Sequence, residues 1–232
     1  MKDENNILAI DTSSKVLSVA IRSGSKAVSE RNLEGTPRHS EQLIDEIEHG
    51  LKVLKLKKED LTHLIWGLGP GSFTGLRIGF SILKGLHLGL NRRMALGASS
   101  LDVIAFGCGL ASGTLAVCVD ARRERIYTSL YRFQHGAMMR EAGDALFSAD
   151  ELLDRVDGET VFVGDALLAY GDVIRKKVGM QAVFLNPIFW YPRAVSLIRL
   201  WEEKEEWLEP LSLRTMIPRY LRRSEAEEKI SG

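Results

Sequence analysis

The stretch GPGSFTGLRIG, residues 69–79, joins a short apolar run to a long apolar segment. The run HLIWG, residues 63–67, predicts a buried strand, and residues 74–90 predict a helix. A glycine-rich loop between a strand and a helix can receive an anion on its backbone N–H groups and the helix dipole. It lacks the lysine of a P-loop and the spacing of a dinucleotide fingerprint. The glycines therefore fit equally well a loop that only directs the chain into the helix.

The residues before this loop predict three strands and a helix. Apolar runs at 7–10, 16–21 and 27–33 predict an antiparallel meander. Residues 39–56 carry apolar side chains at intervals of three and four, which predicts an amphipathic helix. The first turn, DTSS at 11–14, suits either a phosphate contact or a plain hairpin turn.

The second half of the chain repeats this plan in a shorter form. Strands are predicted at 115–120, 125–133, 160–163 and 182–185, and helices from 148, at 167–177 and at 193–206. Strands that alternate with helices after a meander predict two α/β lobes with mixed sheets. We place these lobes at residues 1–110 and 111–232, the second ending in a charged, mobile tail.

Four glycines interrupt the predicted helix 74–90, at positions 75, 79, 85 and 89. Each costs up to about 1 kcal/mol relative to alanine inside a helix, so close backbone packing should offset the loss. The helix is also apolar on more than one side, which indicates burial over most of its surface. Two explanations stay open: a central helix of one core, or a helix held between its own sheet and a partner subunit.

Charge and composition limit the classes of function. The 232 residues carry 31 basic and 31 acidic side chains, so this chain alone is a poor nucleic-acid binder. The basic run at 219–223 fits either a solvated tail or an RNA contact. The polar N-terminus is too short for a signal peptide, and the apolar stretch 73–90 contains Arg77 and Lys84, against a membrane span. We therefore expect a cytoplasmic protein without a membrane segment.

Cysteine and histidine usage gives no metal signature. Cys108 and Cys118 form no CxxC pair and are expected to be buried, reduced thiols. No two of the five histidines are three or four residues apart, so no helical pair can chelate a metal. The sequence offers neither the zinc ligand set nor the nucleophile constellation that a peptidase needs, which disfavours a peptidase.

Five motifs, in this order, resemble the TsaB family, formerly called YeaZ. They are ILAIDTSS (7–14), RHSE (38–41), GPGSFTGLRIG (69–79), VDARRERIY (119–127) and YLR (220–222). The resemblance implies an actin-like ATPase (ASKHA) fold: two lobes of ribonuclease H type, each a mixed β-sheet flanked by helices. It covers nearly the whole chain and is most specific at 69–79.

The resemblance also implies a role in tRNA N6-threonylcarbamoyladenosine (t6A) modification. The paralogue TsaD transfers the threonylcarbamoyl group to the adenosine next to the anticodon, and it carries a His-x-x-x-His metal pair. The corresponding residues here, 98–104, are ASSLDVI, so the resemblance implies a non-catalytic chain with no catalytic residues and no metal. The implied partners are TsaD and the ATPase TsaE, with a homodimer as a further state and tRNA reached only through the complex. No cofactor is expected on this chain alone, and ATP only at the level of the complex.

In this family the subunit interface is built from the first two helices of the N-terminal lobe. The resemblance therefore implies an interface on the predicted helices 39–56 and 74–90. The expected partner interface is Leu43, Ile47, Leu51, Gly75, Leu76, Gly79, Phe80 and Leu83. The alternative function is an ASKHA-fold kinase or ATPase that binds ATP with Asp11 and the loop 69–75. Its candidate cofactor-binding residues are Asp11, Thr12, Ser13, Gly71 and Ser72.

Overall fold

A computed structural model describes residues 5–25, 27–35, 39–91 and 93–221. In chain order the strands are β1 (Asn6–Asp11), β2 (Val16–Ser23), β3 (Ala27–Glu34), β4 (His63–Gly67), β5 (Met94–Ala98), β6 (Gly113–Asp120), β7 (Ile126–Gln134), β8 (Ala137–Phe147), β9 (Thr160–Val163), β10 (Ala182–Phe184) and β11 (Glu209–Pro210). The helices are α1 (His39–Val53), α2 (Phe73–Gly89), α3 (Ser100–Cys108), α4 (Ala149–Leu153), α5 (Leu167–Val178) and α6 (Ala194–Glu203). The predicted tail beyond residue 221 lies outside the described residues.

These elements form two units. The first contains the described residues up to Val103 together with Pro192–Arg219, and the second contains Ile104–Tyr191 together with Tyr220 and Leu221. The first unit is built on a six-stranded sheet in the order β11-β5-β4-β1-β2-β3. β1, β2 and β3 are antiparallel, whereas β4 and β5 run parallel to β1.

Helices cover both faces of the first sheet. Leu8 and Ile10 point to the face on which α1 and α2 pack, because alternate residues of a strand face opposite sides. α6 packs against β1, β2 and β4 and buries Leu197 and Trp201. The unit therefore has an α1–α2 layer, a sheet and an α6 layer.

The segment 192–219 returns to the first unit, although the sequence analysis grouped it with residues 111–191. The start of α6 is held by the meander: Ser18 Oγ accepts a hydrogen bond from the backbone N–H of Ala194 at 2.7 Å. Arg193 pairs with Glu30 at 2.5 Å. A helix N-terminus has backbone N–H groups without partners in the helix, so these contacts from β2 and β3 stabilise the return.

The second unit repeats the strand plan of the first. Its sheet has the order β10-β9-β6-β7-β8, with β6, β7 and β8 antiparallel and β9 and β10 parallel to β6. In both units the third, second, first, fourth and fifth strands therefore lie side by side. The repeated mixed sheet confirms the predicted fold class. One long strand, β8, was not predicted, because its sequence AMMREAGDALF has no regular alternation of apolar residues.

Two further predictions are tested by local features. Both cysteines are free thiols, with Cys118 buried and Cys108 only partly so. Burial raises the pKa of each thiol to about 12. Among the helices of the described ranges, none has both the length and the apolarity that a bilayer crossing requires.

Candidate functional site

The first candidate feature is the turn that follows β1, where Asp11 is fully buried. Its Oδ1 accepts hydrogen bonds from the backbone N–H and the hydroxyl of Ser13, at 2.8 and 2.6 Å. Its Oδ2 accepts one from the hydroxyl of Ser100, the first residue of α3, at 2.7 Å. Both carboxyl oxygens are therefore engaged by the chain itself.

Burial raises the pKa of Asp11, because removal from water disfavours the charged form. The hydrogen bonds from Ser13 and Ser100 oppose this shift, since they stabilise the carboxylate. Burial is the larger influence, so the folded protein holds a proton on Asp11 more strongly than the unfolded chain does.

The glycine-rich loop is fastened onto this turn. Gly69 donates its N–H to Ser100 Oγ at 3.1 Å, and Ser100 donates its own N–H to the Gly69 carbonyl at 2.9 Å. Ser72 donates its N–H to the Ser13 carbonyl at 2.6 Å. A Cβ on Gly71 would lie 2.0 Å from that same carbonyl oxygen, so only glycine fits.

The five candidate cofactor-binding residues are thus brought together, but they mainly contact one another. Asp11, Thr12 and Ser13 are buried, whereas Ser72 is exposed and caps the start of α2 by accepting from the N–H of Gly75. The arrangement makes one hydrogen-bonded block of the turn, the loop and the start of α3. Nucleotide binding at this block stays a prediction.

The first glycine pair of α2 packs onto the same turn. A Cβ on Gly75 would lie 2.2 Å from the carbonyl oxygen of Thr12. A Cβ on Gly79 would lie 2.4 Å from Thr12 Oγ1 and 3.1 Å from Nε1 of Trp66 in β4. These glycines therefore serve contacts within the unit.

The residues expected at the partner interface lie inside the first unit and not on its surface. All eight are buried in the first unit: Leu43, Ile47, Leu51, Gly75, Leu76, Gly79, Phe80 and Leu83. The sequence pattern identified the apolar stripe of each helix correctly, but that stripe faces the sheet. Little of these side chains is left for another chain to contact while the unit is folded.

The second glycine pair has the opposite environment. A Cβ on Gly85 or on Gly89 would have no atom within 4 Å. Ser81, four residues before Gly85, is also exposed, so three small residues form a shallow notch along the outer face of α2. Leu88 flanks the notch and is 55% exposed. We call these four residues the α2 notch.

Exposed apolar side chains are distributed unequally between the helix layers of the first unit. In the α1–α2 layer, Ile44 and Val53 of α1 are exposed together with Leu88. Among the described residues of α6, no large apolar side chain is exposed; its outer positions are Arg199, Glu202 and Glu203. Water therefore meets apolar surface mainly on one helix layer.

Titratable side chains elsewhere show no comparable arrangement. The ring of His63 packs against Trp201 with the centroids 4.9 Å apart and the planes tilted by 49°, and burial lowers the pKa of His63. Within the part of the chain that the structure describes, no three His, Cys, Asp or Glu side chains gather as a metal site would require.

Comparison with known proteins identifies the family. A family model described as "TsaD: tRNA N6-adenosine threonylcarbamoyltransferase" matches residues 34–230. "tRNA threonylcarbamoyladenosine biosynthesis protein TsaB" of Escherichia coli (strain K12) is 30% identical over 233 residues, covering 97% of this chain and 98% of the relative. This chain belongs to the TsaB/YeaZ family.

Further relatives agree with this membership. The TsaB of Bacillus subtilis (strain 168) is 29% identical over 226 residues, 96% of each chain. The solved structure "YeaZ from Pseudomonas aeruginosa" has a TM-score of 0.75 at 23% identity, covering 94% of this chain and 100% of that one. The structural likeness supports the TsaB/YeaZ fold for both units.

The buried carboxyl group of this TsaB/YeaZ chain predicts a pH-dependent stability. The pKa of Asp11 is raised in the folded protein. Its stabilising contribution to the free energy of unfolding is therefore fully present below the ordinary aspartate pKa and is lost as pH rises through the folded pKa. Asp11→Asn should remove this dependence, so the free energy of unfolding of the variant relative to wild type should increase with pH. Urea unfolding between pH 4 and 8 measures it, with Asp157→Asn at an exposed position as the control. A constant difference across this range would contradict the assignment.

The two glycine pairs of α2 predict opposite effects of one substitution. Gly79→Ala should destabilise the TsaB/YeaZ fold, because the new Cβ meets Thr12 Oγ1 at 2.4 Å. Gly85→Ala should stabilise it by up to about 1 kcal/mol, because alanine has the higher helix propensity and nothing blocks the methyl group. Thermal melting of dilute protein compares the two variants. Equal shifts of the same sign would show that the packing is misassigned.

Proposed function

We propose that this chain acts in tRNA t6A biosynthesis as a subunit that pairs with the TsaD-type transferase and does not itself catalyse the transfer. Family membership supports the pathway, because TsaB relatives over nearly the full length bear this name. This chain matches the TsaD family model, which supports a TsaD-type partner with a related fold. The expected cytoplasmic location belongs to the same proposal.

The observation that carries the pairing role is the outer surface of the α1–α2 layer. Apolar side chains at Ile44, Val53 and Leu88 remain in contact with water there. Gly85 and Gly89 leave room for a partner backbone to approach closely. A helix that packs closely against these glycines would also remove neighbouring apolar surface from water, which stabilises a complex.

The charges of the two helices support pairing of related subunits. α1 exposes Asp45 and Glu48, whereas α2 carries Arg77 and Lys84 and no acidic residue. In a two-fold arrangement each α1 can face the α2 of the other subunit, so acidic and basic side chains meet. This geometry suits a TsaD-type paralogue, and it also suits a homodimer when that partner is absent.

The non-catalytic assignment rests on the chemistry of the Asp11 block. Asp11 is fully buried, and both of its carboxyl oxygens accept hydrogen bonds from Ser13 and Ser100, so the chain itself holds this carboxyl group in place. The segment 98–104 contains no histidine, whereas the resemblance implies a histidine pair there in the transferase. The ATPase TsaE and any ATP enter the proposal at the level of the complex, and tRNA is reached through the complex.

The α2 notch gives a direct test of pairing. Gly85→Gln should leave the fold intact, because the position is open, but it should hold a partner helix away. We expect at least about a tenfold loss of affinity, or about 1.4 kcal/mol, for the TsaD-type enzyme of the same organism. Calorimetric titration measures the affinity, and tRNA modification with and without this chain measures the consequence.

The matched control is Gly143→Gln in β8, another exposed glycine with no atom near its missing Cβ. It should bind the partner as wild type does. A folded Gly85→Gln variant that binds with unchanged affinity would overturn the proposed face. Full modification of tRNA without this chain would overturn the proposed role.

The nucleotide-binding alternative has its own outcome. Titration of the isolated chain with ATP and magnesium should give no measurable heat of binding, because the Asp11 carboxyl group is buried and accepts hydrogen bonds from Ser13 and Ser100. Gly143→Gln again serves as the control protein, since it leaves this block unchanged. Tight binding that Asp11→Ala abolishes would favour the kinase or ATPase instead.

A further inference from the structure

The last described segment of the first unit forms a strap, which we define as residues 209–219. β11 pairs antiparallel with β5, and the N–H of Leu211 donates to the Ala95 carbonyl at 2.8 Å. After a turn at residues 212–215, the N–H of Arg219 donates to the Leu68 carbonyl at 2.8 Å. The strap is therefore fixed at both ends by backbone hydrogen bonds.

The strap shares its core with α2. Leu211 and Met216 are buried in the same cluster as Leu76 and Leu90, which lie near the two ends of α2. The carbonyl oxygen of Arg219 lies 3.5 Å from the point where a Cβ of Gly69 would stand, and Leu76 Cδ1 lies 2.8 Å from that point. After β11, which belongs to the sheet, the strap thus packs on the same core as α1 and α2.

One side chain of the strap is apolar, exposed and held in place. Ile217 is 61% exposed, although Met216 before it is fully buried. The N–H of Ile217 donates to the Thr215 carbonyl at 2.8 Å, and the Arg219 bond fixes the chain two residues later. Leu213 in the turn is also exposed. Burial of an exposed isoleucine by a partner removes apolar surface from water and so stabilises the complex.

We infer that the partner-docking surface continues from the α2 notch onto the strap, and that Ile217 is a contact residue for the partner subunit. The inference rests on the proposed pairing function. Its occupant is the subunit that docks on α2, a protein with an apolar helix face whose acidic side chains meet Arg77 and Lys84. Continuity of the layer supports this choice, since α1, α2 and the strap each expose apolar side chains and α6 does not.

Substitution of Ile217 tests the extension. Ile217→Ser should weaken binding of the TsaD-type enzyme about tenfold, or about 1.4 kcal/mol, with the melting temperature unchanged. Ile217→Ala removes most of the apolar contact without adding a polar group and should give a smaller loss in the same direction. Met180→Ser, at a fully exposed methionine of the second unit, is the matched control and should bind as wild type does.

The outcomes separate this inference from the proposed function. Wild-type affinity for both Ile217 variants, with affinity lost in Gly85→Gln, would overturn the strap contact and leave the pairing function standing. Wild-type affinity for the Ile217 variants and for Gly85→Gln would overturn both. Loss of affinity in both positions, with the Met180→Ser control unaffected, would support the continuous surface.

Discussion

The hydrogen bonds around the Asp11 carboxyl group set the geometry on which the rest of the first unit depends. They tie the end of β1 to the start of α3 through Ser100, and Ser100 in turn holds the loop that begins at Gly69. α2 must therefore start directly above the turn, with Thr12 against its first glycine pair. The rotation of α2 about its axis follows from this contact, so the turn that Asp11 holds in place influences which side chains of α2 face the solvent.

The spacing of the glycines in α2 carries information that its apolar stripe does not. Gly79 and Gly85 are six residues apart, and at about 100° per residue such a step turns the helix by about 240°. The two glycine pairs therefore cannot lie on one face, and each needs its own explanation. The stripe Leu76, Phe80 and Leu83 was identified as an interface because the family pairs through these helices, but the same stripe is what the sheet requires. The periodicity of apolar residues predicts which face of a helix is buried, but not whether a sheet of the same chain or another chain packs against it.

The antiparallel meander and the fold class followed from local patterns and family resemblance, whereas long-range packing did not. β8 is a strand because β7 offers it a partner, and its polar residues tolerate an edge position. The return of α6 depends on Ser18 and Ala194, which are 176 residues apart in the chain. No local rule connects such residues, since their contact exists only after both the sheet and the helix have formed.

This return has a consequence for the order of events during synthesis. Residues 104–191 are continuous, so the second unit has all its strands once they have left the ribosome, and domains generally fold as units in that direction. The first unit needs Pro192–Arg219 to cover β1 and to seat Met216 beneath α2. It therefore completes its core only after residues 104–191 have been synthesised. A nascent chain accordingly completes the apolar outer layer of its first unit after all strands of the second unit have left the ribosome.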